Sequence, residues 1–331
     1  MLKFRTASRF LLSRLASLSR ALCSALLVVS ACDVFAAPGQ LDLTFGNGTG
    51  TVRTNMLRRG APLVPAIATQ ADDKIILMGA CGASHCAARY GADGVLDADF
   101  GDGGFAIYRI STSGYTDFGR RGAIQEDGKI VVVGECDSGI VTVAFCTVRF
   151  EKNGSLDTTY GRSGSTITIL TGEWYDSARE VVIQPDGKIV VSGQCYVRNQ
   201  GDSHCLVRYL TDGSLDASFG AGGKVIGPSS GPFENAGLVV QADGKILVGA
   251  NNYDVLVRRF QPDGSLDTRY GTNGTAQLRM AFTSFYVTSL HLQPNGKLLI
   301  VGACGSGSDD RICIARFDAT GNWMSHSAVA V

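Results

Sequence analysis

The sequence has little histidine, no basic stripe and, beyond its first 36 residues, no apolar run long enough to cross a bilayer as a helix. It has four histidines, His85, His204, His291 and His326, and the repeat geometry sets none of them near a plausible catalytic nucleophile. The HExxH pair of zinc proteases, the P-loop and a GxGxxG turn leading into a helix are all missing. So is any CxxC pair. Formal net charge is zero, and without residues 1–36 the count is 25 Lys+Arg against 29 Asp+Glu, which leaves no basis for nucleic-acid binding. Helical periodicity is absent after the leader. No cofactor and no metal is implied by what remains.

Residues 1–36 read as a signal segment. Lys3, Arg5, Arg9, Arg14 and Arg20 precede the apolar stretch ALCSALLVVSA (21–31), which is too short to serve as a permanent span. Two processing routes fit. VFA (34–36) places small residues before a cut that releases a secreted or periplasmic chain. VSAC (29–32) resembles a lipobox, in which Cys32 would be lipidated and anchor the protein to a membrane surface.

What is abundant is repetition. QPDGKIVVSGQC begins at Gln184, and related phrases begin at Gln70, Gln125, Gln241 and Gln293. A second phrase, of the form DGSLDxxFGxxG, places leucine at 41, 96, 156, 215 and 266. Arg89, Arg149, Arg208 and Arg259 each stand seven residues before one of these leucines, and Arg316 plus seven falls on Trp323. Each unit reads as four short strands. The first ends at the repeated Gln, and an Asp-Gly pair then reverses the chain as a two-residue type I′ hairpin. A continuous apolar run such as KIVVVG forms a second strand buried on both faces. A third strand carries the Arg, and the connector leads to the fourth.

Four-stranded units of this length, unable to bury both faces alone, predict a β-propeller. The repeated phrases resemble the bacterial delta-60 repeat family over residues 39–323. That resemblance implies a propeller and assigns no activity. Strand counting gives four complete blades flanked by a lone N-terminal connector and fourth strand (41–54) and a three-stranded C-terminal unit. The expected architecture is therefore all-β and five-bladed, with the N-terminal strand joining the C-terminal blade. The domain would span 37–321, followed by a tail at 322–331.

Cys81, Cys136, Cys195 and Cys304 each follow the Gly of the second strand by two residues. Cys86, Cys146, Cys205 and Cys313 each precede the Arg of the third by three. These positions lie on neighbouring antiparallel strands at distances that suit disulfides within each blade. In the Gln241 unit they hold Asn251 and Leu256, so both halves of the pair are missing together. The His85-Cys86 and His204-Cys205 pairs raise zinc, but the cysteine spacings are not zinc-binding ones. Structural disulfides in an oxidising compartment are the better reading.

Chemistry is scarce. GPSSG (227–231) matches GxSxG but sits between strands, without the following helix that a nucleophile elbow needs. Asp42, Asp97, Asp157, Asp216 and Asp267 lack the alternating spacing of a calcium loop and read as turn caps, paired with the repeated arginines. The blades differ mainly in the loops that join each fourth strand to the next first strand. There Tyr115, Asp117, Trp174, Tyr175, Asp176, Phe233 and Glu234 gather aromatics and carboxylates suited to a sugar, a peptide or a cation. The expectation is an exported, non-catalytic scaffold whose partner is a protein, peptide or carbohydrate. Two alternatives stay open: a hydrolase or lyase using carboxylates of that face, and a purely structural surface or adhesive protein.

Overall fold

The computed structural model describes residues 39–54, 62–111, 117–139, 143–229, 234–252, 254–279, 284–305 and 311–323. Residues 1–38, which hold the expected signal segment and Cys32, lie outside the described residues, as do Tyr115, Phe233 and 324–331. Nineteen strands among them form five antiparallel sheets, each laid out in chain order. Blade one holds β1 (Pro62–Thr69), β2 (Ile75–Cys81), β3 (His85–Tyr90) and β4 (Phe105–Tyr108). Blade two holds β5 (Phe118–Ile124), β6 (Ile130–Asp137), β7 (Val143–Phe150) and β8 (Ser165–Thr168). Blade three holds β9 (Asp176–Ile183), β10 (Ile189–Val197), β11 (Gly201–Tyr209) and β12 (Lys224–Ser229). Blade four holds β13 (Glu234–Val240), β14 (Ile246–Asn252), β15 (Asp254–Phe260) and β16 (Thr275–Leu278). Blade five holds β17 (Ser284–Leu292), β18 (Leu298–Gly305) and β19 (Arg311–Phe317). First strands pack in sequence: β1 on β5, β5 on β9, β9 on β13, and β13 on β17. This is a five-bladed propeller.

The continuous apolar runs are buried on both faces, because each second strand lies between two neighbouring blades. Ile130, Val131, Val132 and Val133 are all inaccessible to solvent, with Ile130 and Val132 in the core shared with blade one and Val131 and Val133 in the core shared with blade three. The turn into that strand differs from the expected type I′. Gly128 N donates to Gln125 O (2.9 Å) and Gln125 N to Lys129 O (2.8 Å), and only the glycine has a positive φ, +86°. The loop is a type I turn closed by one left-handed residue. Asp127 acts through its side chain instead, with Oδ1 accepting from Lys129 N at 3.0 Å.

Connectors lock each blade to the next. Arg149 Nε donates to Asp157 Oδ2 at 2.7 Å, and its guanidinium lies 4.5 Å from the centroid of the Tyr160 ring. Arg89, Arg208 and Arg259 repeat this with Asp97, Asp216 and Asp267, over Phe100, Phe219 and Tyr270. In all four, Nη1 then reaches a backbone carbonyl of the following blade: Lys152, Thr211, Pro262 and Ala319. Burial pushes the Asp157 carboxyl up, but hydrogen bonds from Lys129, Thr159 and Arg149 overcome it and hold the pKa well below the usual range.

Blade five has three strands, and residues 39–54 form none. No ladder between the N-terminal segment and the C-terminal blade is present among the described residues. The segment seats on blade one, where Gly46 N donates to Asp93 O at 2.8 Å.

The cysteines pair as Cys81–Cys86, Cys136–Cys146, Cys195–Cys205 and Cys304–Cys313, with Cα atoms 5.5–5.9 Å apart. Each bridge runs diagonally: Cys136 stands opposite Ala144, and Cys146 opposite Gly134. Blade four departs from the sequence alignment by one residue. Its second strand, ILVGANN, has one residue fewer before the glycine, so Asn252, not Asn251, takes the register of Cys136, opposite Asp254. Leu256 holds the second position as expected. Four bridges of this kind belong to an oxidising environment outside the cytoplasm.

Candidate functional site

All five first strands carry a register shift near their start, and in blades two and three the extra residue is an arginine. Gly119 pairs with Gly134 and Arg121 with Val133, so Arg120 is extruded. Ala178 pairs with Gly193 and Glu180 with Ser192, so Arg179 is extruded likewise. A bulge re-aims the side chain of its extra residue. Its backbone crowds the facing strand, and a Cβ on Gly134 would lie 1.8 Å from Phe118 O, so glycine is required there.

Both bulged arginines turn toward Glu135. Arg120 Nη2 lies 2.8 Å and Arg179 Nη2 3.9 Å from Glu135 Oε1, and Ser177 Oγ donates to the same oxygen at 2.7 Å. Next to them Arg121 pairs with Glu180 at 3.0 Å. Burial pushes the Glu180 carboxyl up, and Arg121 offsets only part of that. The group joins blades two and three through charged side chains.

On blade three this polar group runs into an aromatic one. Gln194 Nε2 donates to Tyr175 Oη at 3.2 Å, and the Tyr175 hydroxyl donates to Asp202. Burial and then Asp202 push the Tyr175 hydroxyl pKa up, while Arg179 pulls it down. Tyr175 lies beside Tyr196, with centroids 6.2 Å apart, and Trp174 stacks on Tyr196 at 4.9 Å with planes 5° apart. Trp174 is 73% exposed. The Glu173–Arg198 pair, 3.1 Å, ties the loop carrying Trp174 to the end of β10.

The sequence-predicted residues divide between these roles. Trp174 and Tyr175 lie in one aromatic group with Tyr196, Trp174 exposed and Tyr175 half-buried. Asp117 and Asp176, expected beside them as ligand groups, are 0% and 1% exposed. Asp117 accepts from Ile110 N, Ser111 N and Ser111 Oγ. Asp176 accepts from Leu170 N, Thr171 N and Thr171 Oγ1. Both staple the loop before a first strand, and burial raises the Asp176 carboxyl pKa in spite of those bonds. Glu234 opens β13, paired with Asn251.

Sequence reasoning missed Glu135, Gln194, Arg120, Arg179 and Tyr196. A signal for the first two was available: the residue before the second-strand cysteine is Ala80 in blade one and Ala303 in blade five, but Glu135 and Gln194 in blades two and three. The arginines were hidden because a bulge is a backbone event. Among the described residues no group of acidic, histidine and cysteine side chains is gathered to hold a metal. His85 and His204 are fully buried, and the cysteines next to them are engaged in disulfides.

Four stretches, residues 125–160, 184–219, 241–270 and 293–322, match the β-propeller domain of unknown function DUF5122. The chain thus carries an uncharacterised β-propeller repeat. No curated protein matches it. Among solved structures, a protein of unknown function from Bacteroides caccae is 13% identical over 81% of each chain, with a TM-score of 0.44. An endo-arabinase from Bacteroides thetaiotaomicron is 10% identical over 78% of this chain and 93% of its own, TM-score 0.41. The polysaccharide lyase Uly1 is 12% identical over 90% and 76%, TM-score 0.45. These likenesses concern blade architecture and carry nothing about activity.

Proposed function

We propose that this protein is an exported, non-catalytic propeller that binds a carbohydrate on the rim of blades two and three. The observation that carries this reading is Trp174, 73% exposed and held flat on Tyr196. An indole fixed in this way presents its free face to the apolar C–H face of a sugar ring at little rotamer cost. Asp202, Arg120 and Arg179, all partly exposed, supply acceptors and donors for hydroxyl and acidic groups on this rim. Two features support export: the basic and apolar pattern of residues 1–36, and the four disulfides.

A binding role is favoured over hydrolysis or lysis because the carboxylates of this face are occupied. Asp117 and Asp176 are buried under loop amides, and Glu135 is shared by two arginines and a serine. The test is a glycan array probed with the exported protein, followed by calorimetry on any hit with the parent and Trp174→Ala. Binding that Trp174→Ala abolishes supports the reading. Binding unchanged by that substitution, or cleavage of the bound glycan, overturns it.

A further inference from the structure

Four of the five connector arginines are fully served, and the fifth is not. Arg89, Arg149, Arg208 and Arg259 each have a carboxylate, a ring beneath the guanidinium and a carbonyl in the next blade. Arg316 Nε is buried without a hydrogen-bond partner among the described residues. Eight residues on from each of the four arginines stands an aspartate; eight on from Arg316 stands Met324.

The missing groups lie at the other end of the repeat array. Asp42 Oδ1 accepts from Thr44 N and Oγ1, as Asp157 Oδ1 does from Thr159 and Asp216 Oδ1 from Ser218. In the four complete connectors the other oxygen takes the arginine; Asp42 Oδ2 has no partner among the described residues. Phe45 packs on Gly94 as Phe100 packs on Gly154 and Tyr160 on Gly213. Gly46 N donates to Asp93 O as Gly101 N does to Asn153 O, both at 2.8 Å. Tyr90 Oη bonds Thr54 Oγ1 at 2.8 Å, matching Tyr209 and Thr168 at 2.7 Å. Residues 42–54 therefore sit on blade one in the place of a preceding blade's connector and fourth strand.

Blade five holds the complementary half. Gly271 N donates to Thr320 O at 2.8 Å, and Trp323 bridges Phe317 as Leu156 bridges Phe150. One connector is thus divided, with its first half at 318–323 and its second at 42–54. The faces between the two halves are bare. Ile312 is 70% exposed, whereas Phe145 and His204, four residues before their own arginines, are fully buried. On β1, Ala66 and Ala68 pack toward blade two, so Ile67, exposed and alternating with them, points the other way.

We propose that residues 42–54 form the fourth strand of blade five in the same chain, with Asp42 as the counter-ion of Arg316 and Phe45 as the ring beneath its guanidinium. Transferring the blade-two register, Ser165 to Val148, Thr166 to Thr147 and Thr168 to Phe145, sets Thr51 against Ala315, Val52 against Ile314 and Thr54 against Ile312. Arg316 Nη1 then meets Ala92 O, the carbonyl equivalent to Lys152 O. Ile312, Ile314 and Ile67 are enclosed as the seam shuts.

The experiment introduces Val52→Cys with Ile314→Cys into the exported full-length protein and maps its disulfides without reduction. A bond between 52 and 314 within one chain is expected, and the Arg53→Cys/Ile314→Cys control, one residue out of register, should stay reduced. Free thiols in the first variant overturn the proposal; a bond joining two chains assigns the strand to a second copy and also overturns it. Independently, Asp42→Asn and Arg316→Gln should each lower the melting midpoint by about 2 °C, and the double variant should fall no further than the worse single. Additive falls would show that the two side chains do not meet. Neither readout depends on a ligand.

Discussion

Trp174 lies flat on Tyr196, with the two ring centroids 4.9 Å apart and the planes within 5°. The stack leaves one indole face to solvent and removes the rotamer freedom that an isolated surface tryptophan would lose on binding. Trp174→Ala should weaken a bound glycan by about 2 kcal/mol or more, read by calorimetry. The melting midpoint should move little, because an exposed side chain contributes little to blade packing. A sharp fall in the melt with affinity unchanged would make Trp174 a packing residue.

Disulfide register in blade four gives a sharper test. Asn252→Cys with Leu256→Cys should close a fifth bridge, because Asn252 has the strand register of Cys136. The loop closed is short, so the gain should be about 2 kcal/mol, measured by denaturant titration. Asn251→Cys with Leu256→Cys, which the repeat alignment would choose, should leave both thiols free to a thiol reagent.

His85 sets an acid-side limit on stability. Burial holds its pKa at about 4, against the pull of Asp117 and Glu135, and neither ring nitrogen has a hydrogen-bond partner among the described residues. The unfolded chain takes up a proton near pH 6.5 while the folded chain does not, so stability falls as the pH drops from about 6.5 toward 4. His204 acts in the same direction, depressed by burial and then by Arg258. His85→Gln should flatten part of the slope of denaturant stability against pH in that window. The connector carboxylates Asp97, Asp157 and Asp216, whose pKa values are lowered, lose their contribution only below the ordinary carboxylate range. A slope unchanged in His85→Gln would place the titration elsewhere.

Breaking one complete connector should cost far more than breaking a surface pair. Asp216 and Arg208 are both nearly buried, 2.8 Å apart. Asp216→Ala leaves a guanidinium desolvated and should destabilise by about 3 kcal/mol, measured by denaturant titration. Lys245→Ala, whose pair with Asp243 is more exposed and touches no connector carboxylate, should change stability by no more than about 1 kcal/mol.

The parts legible in the sequence were those that depend on short-range pattern. The cysteines recur at fixed offsets from a Gly and an Arg, and the Arg–Asp pairs at eight residues, each in four copies, which averaged away local variation. The buried second strands were readable from runs such as that around Val131. The type I′ turn was misassigned because Asp-Gly suits two loop lengths, and only φ distinguishes them. Asp117 and Asp176 were placed on the correct loops but given the wrong exposure, since nothing in a loop sequence tells whether a carboxylate faces solvent or its own amides. Arg120 and Arg179 could not be oriented at all, because one extruded residue reverses which face every neighbour occupies.

Arg89, Arg149, Arg208 and Arg259 each reach across to a main-chain oxygen, and the residues that supply it are Lys152, Thr211, Pro262 and Ala319, four different side chains. An acceptor that every amino acid carries places no demand on its neighbour's sequence. At this contact the junction asks nothing of the neighbour's side chains, so the residues that follow each third strand are free to differ from blade to blade while the arginine keeps its acceptor.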